Sequence, residues 1–159
     1  MKVASARTAR LDEQLCFALY SASRAFTRAY APLLEPLGLT YPQYIVMLVL
    51  WEKDDLSVSE LGERLALDSG TLTPLLKRLE ESGFIERRRD ADDERVVRVR
   101  LTRAGQKLEE RARSVPIDLM RRAGYEPTKE CLGSFDELRG ALQELTKNLE
   151  AATPPKKRR

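Results

Sequence analysis

Apolar residues recur at helical spacing in the first part of the chain. Leu11, Leu15, Leu19, Ala22, Phe26 and Tyr30 step by three and four, while Asp12, Glu13, Arg24 and Arg28 fall elsewhere on the wheel. The pattern predicts an amphipathic helix that ends or kinks near Tyr30, because Pro32 and Pro36 lack a backbone donor and disfavour helical geometry in the residue before them. Thr40 and Gln43 form a capping box for a second helix, Pro42 fits its first turn, and its body at residues 44–51 is apolar nearly all round and therefore predicted to be buried. Ser57 and Glu60 make another capping box, opening a short helix with Val58, Leu61 and Leu65 on its apolar side. A tight turn through Ala66 and Leu67 leads to Asp68, placed to cap the next helix. There Leu72, Leu75, Leu76 and Leu79 follow core spacing, and Ser69, Thr71, Thr73, Lys77 and Arg78 lie largely off that stripe. Pro74 leaves two starts open: Gly70 eases the crowding of a helix begun after Asp68, or Thr73 caps a later start at Pro74.

Gly83 is a helix stop, after which the period changes to two. Ile85, Arg87 and Arg89 alternate with Phe84, Glu86 and Arg88, and Val97, Val99 and Leu101 alternate with Arg98 and Arg100, so two strands flank a polar loop at residues 90–94. Thr102 caps a helix running toward Pro116, and Thr128 caps the last one. In that helix Phe135, Leu138, Leu142, Leu145 and Leu149 step 3, 4, 3, 4, the narrow seam of a coiled-coil-like contact. The chain closes on Pro154, Pro155 and four basic residues, read as the end of a disordered basic tail over 151–159. The fold class expected is mostly α with a small β-hairpin wing: a winged helix-turn-helix lobe over 39–103, flanked by helical regions at 11–36 and 103–150, within a single domain.

Composition narrows the chemistry. Hydrophobic residues at 42% and charged residues at 33% leave enough apolar material for a packed core in 159 residues. The longest apolar stretch is far below the roughly 20 residues that span a bilayer, and the N-terminus lacks a signal-peptide block, so a cytoplasmic protein without a membrane partner is expected. The absence of histidine excludes a Ser-His-Asp triad, a Cys-His pair and histidine-bearing zinc sites; neither a metal nor a cofactor is expected. Two cysteines, Cys16 and Cys131, are too few for a disulfide framework and are read as thiols. The net charge of +3 includes four positive charges at residues 156–159, so the remainder is slightly acidic and any nucleic-acid face must be local.

Such a face is visible in the order helix, tight turn, polar-faced helix, basic hairpin. That order lays the second helix in a DNA major groove, with Ser69, Thr71, Thr73, Lys77 and Arg78 as its candidate contacts. Seven arginines (Arg87, Arg88, Arg89, Arg95, Arg98, Arg100 and Arg103) supply phosphate contacts and one minor-groove insertion. The acidic tip, Asp90, Asp92, Asp93 and Glu94, opposes phosphate binding unless an Asp-Arg hydrogen bond aims Arg95.

With LTYPQYIVMLVLWE, LSVSELGERLALDSGTLTPLLKRLEESGFIERRRD and DDERVVRVRLT, residues 39–101 resemble the MarR family of winged-helix repressors. Residues 15–20, LCFALY, together with 40–44, TYPQY, resemble its organic-hydroperoxide-sensing branch, and the likeness extends over about 11–114. The resemblance implies a homodimer built from the N- and C-terminal helices and a double-stranded DNA operator with two-fold pseudo-symmetry. It further implies that repression is released when an organic hydroperoxide oxidises one cysteine near the N-terminus. Carried over by position, the sensing cysteine is Cys16, its phenol partners are Tyr30 and Tyr41, and the wing-tip groove contact is Arg95 held by Asp93. A resolving cysteine, expected where Arg121 or Arg122 stands, is absent there; Cys131 or a small thiol takes that role.

Read without the family, Cys16 is a small residue of an amphipathic helix whose neighbours Asp12 and Glu13 discourage a thiolate. Tyr30 lies 14 positions on, about 21 Å along a straight helix, so only antiparallel packing of two copies could join thiol and phenol. Two other functions stay open: a repressor controlled by a small aromatic ligand between the dimer helices and the DNA lobe, and a thiol peroxidase acting through Cys16. The second is disfavoured, since the polar clusters serve a DNA lobe, and a non-enzymatic regulator is expected.

Overall fold

The computed structural model describes residues 10–152. The chain divides into two compact units, one through Val115 and the other from Pro116. The first holds a short 3-10 turn at Leu11–Glu13, α1 (Leu15–Leu34), a second 3-10 turn at Glu35–Leu37, α2 (Tyr41–Glu52), β1 (Leu56–Ser57), α3 (Val58–Leu65), α4 (Ser69–Glu81), β2 (Ile85–Arg89), β3 (Val97–Leu101) and α5 (Arg103–Ala112). Helix α6 (Val115–Arg122) begins at the boundary, and α7 (Lys129–Ala152) makes up most of the second unit. No single helix among the described residues is long and apolar enough to cross a membrane.

Helix α1 runs four residues past Tyr30, correcting the expected stop. Leu34 is fully buried and Leu33 packs against the core, and this burial outweighs the one hydrogen bond that Pro32 removes. Leu11, expected on the helix, lies instead in the preceding 3-10 turn. Each capping prediction for α2 to α5 has its bond. Gln43 Oε1 accepts the Thr40 N–H at 2.8 Å, Ser57 Oγ accepts the Glu60 N–H at 3.2 Å, Asp68 Oδ1 accepts the Thr71 N–H at 3.0 Å, and Thr102 Oγ1 accepts the Gly105 N–H at 3.1 Å. The cap at Asp68 settles the start of α4 at Ser69, and Pro74 is accommodated inside it.

The helix expected to run from Thr102 toward Pro116 is α5, which ends at Ala112, and the further helix α6 starts at Val115 with Pro116 in its first turn. Thr128 accepts the Cys131 N–H at 3.2 Å and opens α7, which continues through Ala151 and Ala152, two residues into the expected tail. Residues 153–159, with the basic tail, lie outside the described residues.

The hairpin acquires a third strand that the sequence reading missed. The order is β1-β3-β2, antiparallel throughout, with Leu56 opposite Val99 and Arg87 opposite Val99 on the other side. A strand of two residues is too short to show alternation.

The core gathers around α2, whose Val46, Met47 and Leu50 are completely buried among Leu34, Leu61, Leu72, Leu79 and Val99. Leu48 departs from the expected all-round burial and is exposed. At the far end of α2, the Trp51 indole N–H donates to the Gly105 carbonyl at 2.9 Å, tying α2 to α5. Gly105 itself is pressed against the chain entering β2: a Cβ there would lie 2.1 Å from the Phe84 carbonyl oxygen. Gly105→Ala should therefore cost about 1–3 kcal/mol through backbone displacement, read from the denaturant midpoint with the single tryptophan as probe. An unchanged midpoint would remove Gly105 as a packing constraint.

Candidate functional site

On α4 the core stripe fixes which residues face outward. Ser69, Thr71, Thr73, Lys77 and Arg78 are all exposed, opposite the buried Leu72, Leu76 and Leu79. The helix is entered through Ala66, left-handed at φ 52°, which turns α4 away from α3. Asp68 spends both carboxylate oxygens on Thr71: Oδ1 takes its backbone N–H and Oδ2 its hydroxyl, each at 3.0 Å. These bonds, the backbone one foremost, hold the Asp68 carboxyl below the usual range and occupy the Thr71 hydroxyl proton. Lys77 is 3.8 Å from Glu81 in an exposed i, i+4 pair. Thr73, Arg87 and Arg95 line one cleft of about 430 Å³ together with Ser57, Ser59 and Val97.

The arginines of the wing are unequal. Arg87 is clamped by Glu80, with Nη2 at 2.6 Å and Nε at 3.0 Å from Oε2, and its backbone N–H reaches Oε1 at 3.0 Å. Arg88 pairs with Glu86 at 2.9 Å, and Arg89 donates to the Glu94 carbonyl at 2.8 Å. Arg98 and Arg100 both bond Asp55, each at 2.7 Å, and Arg98 also faces Asp90 at 3.5 Å. Among the described residues only Arg95 and Arg103 of the seven have guanidinium groups without such a partner, which corrects the picture of a uniformly available basic hairpin. Asp93 does bond Arg95, but at its backbone N–H (3.0 Å) rather than its guanidinium. The carboxylate shapes the tip and leaves the side chain free.

The thiol-bearing end is differently organised. Cys16 is exposed in the first turn of α1. Tyr30 is half-buried near the other end, with its ring 4.9 Å from Tyr41 and 5.7 Å from Tyr44, centroid to centroid. Burial and then the neighbouring Tyr41 push the Tyr30 phenol up, and burial followed by Tyr30 and Tyr41 pushes Tyr44 up to about 12. The phenols thus remain donors at neutral pH. Tyr44 was missed as a site residue, although its place one turn after Tyr41 puts it on the same helix face.

Within one chain Cys16 and Tyr30 are not brought together, since α1 is continuous and separates them by about 21 Å. Beside Tyr41 a cleft of about 450 Å³ is lined by Thr27, Ala31, Leu39 and Pro42. In the second unit Cys131 is partly buried in the first turn of α7, and Arg121 pairs with Asp118 at 3.6 Å.

A short helix, a left-handed turn, a helix with its polar face outward and a three-stranded wing define a winged helix-turn-helix transcriptional regulator. The sequence profile described as "Transcriptional regulator SarA/Rot" matches residues 28–111. An organic hydroperoxide resistance transcriptional regulator of Bacillus subtilis (strain 168) is 52% identical over 107 residues, 67% of this chain and 73% of its own. The HTH-type transcriptional regulator TtmR of Methylorubrum extorquens (strain PA1) is 59% identical over 106 residues, 67% of this chain, which spans only 54% of that relative. The structure of reduced AbfR bound to DNA superposes with a TM-score of 0.77 at 36% identity, covering 90% of this chain and 94% of that one. The chain belongs to the MarR family of winged-helix transcriptional regulators, in the branch of the organic hydroperoxide regulators.

The depressed carboxyls give the DNA lobe a defined pH profile. Asp55, Asp68, Glu80 and Asp90 all titrate below their ordinary values, the first through its Arg100 and Arg98 bonds and Glu80 through Arg87. Groups lowered in the folded state add stability above their unfolded values near pH 4 and lose it as pH falls through the folded ones. Tyr44, raised to about 12, has the opposite sign and withdraws stability as pH climbs above about 10. With no histidine in the chain, urea midpoints should be nearly flat from pH 5 to 8 and fall on both sides. A midpoint that rises from pH 5 to 3 would contradict these ion pairs.

Proposed function

We propose that the protein is a dimeric, DNA-binding transcriptional repressor that leaves its operator when an organic hydroperoxide oxidises Cys16. The observation that carries this reading is the pair of phenols, Tyr30 and Tyr41, with ring centroids 4.9 Å apart, set about 21 Å along α1 from the Cys16 of their own chain. A second copy running antiparallel along α1 supplies the missing thiol. Its thiolate, stabilised by the two phenol donors, attacks the distal peroxide oxygen. The O–O bond breaks, sulfur loses two electrons and becomes a sulfenic acid, and the alkoxide takes a proton and departs as an alcohol. A second thiol, from Cys131 or a small molecule, then condenses with the sulfenic acid and releases water. Loss of the phenol bonds to sulfur disturbs the dimer on which the two α4 helices are mounted.

Exposed apolar side chains on α1 (Leu15, Tyr20, Phe26) and on α7 (Leu138, Leu142) support the dimer. The DNA partner is supported by the outward polar face of α4 and the unpaired Arg95, and by the likeness to AbfR, described as bound to DNA in its reduced form. In this reading Ser69, Thr71, Thr73, Lys77 and Arg78 enter the major groove and Arg95 the minor groove. The cleft of about 450 Å³ beside Tyr41 favours one competing reading, a repressor released by a small aromatic ligand with Cys16 merely packed.

A duplex selected by the reduced protein from a randomised pool decides between them. Cys16→Ser should bind it as wild type does yet no longer be released by cumene hydroperoxide, and Arg95→Ala should bind about 1–3 kcal/mol more weakly. Release of Cys16→Ser at the wild-type hydroperoxide dose would end the redox reading. In sedimentation, Leu142→Asp with Leu145→Asp should give monomers; a persistent dimer would remove α7 from the interface.

A further inference from the structure

The turn between α2 and β1 is built around two carboxylates that the DNA-binding reading does not use. Asp55 stands at φ 58°, in the left-handed region that Asp and Asn enter more readily than other non-glycine residues. It divides its oxygens: Oδ1 accepts Arg98 Nε and Oδ2 accepts Arg100 Nη2, both at 2.7 Å, while its carbonyl accepts Arg98 Nη2. Asp54 Oδ1 accepts the Leu101 N–H at 2.9 Å, fixing the end of the same strand. From Arg98 the network continues to Asp90 at 3.5 Å, whose other oxygen receives the N–H groups of Asp92 and Asp93 at 2.9 and 3.3 Å.

Two cations on the central strand are thus drawn back to the α2–β1 turn. The side chains of Arg98 and Arg100 are 33% and 50% exposed, so solvent-screened pairs of this kind contribute little to stability. What the pairs change is the number of positive charges the wing can offer a phosphate. Sequence-independent DNA binding scales with that number, whereas discrimination comes from the few side chains that reach the grooves.

We propose that Asp55 is a specificity-determining residue: by holding Arg98 and Arg100 against the α2–β1 turn it limits attraction to arbitrary DNA and leaves the wing's contact to Arg95. The inference rests on the DNA-binding reading above. Asp55→Asn keeps a residue type at ease in the left-handed conformation while removing the charge; Asp55→Gly, equally at ease there, replaces it should the first variant fail to fold by circular dichroism.

Binding is measured against a random-sequence 30-base-pair duplex and a duplex selected by the wild-type protein from a randomised pool, across a salt series. The variant should bind the random duplex several-fold more tightly at low salt. Its log-affinity against log-salt slope should steepen by about one to two, near 0.9 for each phosphate newly neutralised, and the preference for the selected duplex should fall. In an Arg98→Gln, Arg100→Gln background the same change at Asp55 should have no such effect. An unchanged slope would overturn the proposal. So would a steepening that persists without the arginines, or an equal loss of affinity for both duplexes, which a merely structural wing anchor would produce. If the wild-type protein selects no duplex at all, the DNA-binding reading itself fails first.

Discussion

Helix α2 has almost no polar face, and the architecture of the first unit follows from the need to cover it. Its completely buried Val46, Met47 and Leu50 draw in Leu34 from α1, Leu61 from α3, Leu72 and Leu79 from α4, and Leu108 from α5. Apolar burial has no direction of its own, so the positions of the covering helices are refined by caps and tethers at the ends of α2. Tyr41 and Tyr44 lie at its start against Tyr30, and Trp51 near its end reaches the Gly105 carbonyl. The turn that follows carries Asp54 and Asp55, which hold β3. One rigid element therefore has the tyrosine cluster at one end and the anchor of the wing at the other.

The wing shows how little a count of charges says about a binding surface. Seven arginines crowd residues 87–103, yet carboxylates on α4, on β2 and in the α2–β1 turn engage Arg87, Arg88, Arg98 and Arg100, and a backbone carbonyl takes Arg89. Two of the acidic residues at the tip are used within the loop in a similar way: Asp90 and Asp93 accept backbone N–H groups and shape it. Repulsion of phosphate by these carboxylates is offset by the local order they impose on the segment that carries Arg95. The result is a basic hairpin whose accessible positive charge is much smaller than its composition.

Most helix starts were legible because a cap is a local device. A Thr, Ser or Asp and the residues three positions on suffice to satisfy the first N–H groups, and Thr40, Ser57, Asp68, Thr102 and Thr128 each stand where a helix begins. The outward face of α4 was legible for a similar reason, since the spacing of Leu72, Leu76 and Leu79 dictates it. Helix ends were less so: α1 passes Pro32 because Leu34 finds a completely buried place in the core, and no local signal records that gain.

The sequence by itself determined most helix starts, the two long strands, the buried and exposed faces of α4, and the residue types from which a DNA lobe and a thiol site can be read. Periodicity and capping act over three or four residues, so they are written into neighbouring positions. The tertiary structure alone decided which arginines are taken and which are left, that two residues at 56–57 complete the sheet, and that Tyr44 joins Tyr30 and Tyr41. Those outcomes depend on pairings between distant segments, such as Asp55 with Arg98 and Arg100. Charge and aromatic character fix what a side chain can bind, but only the packing of α1 and α4 on α2 fixes which partner lies within reach.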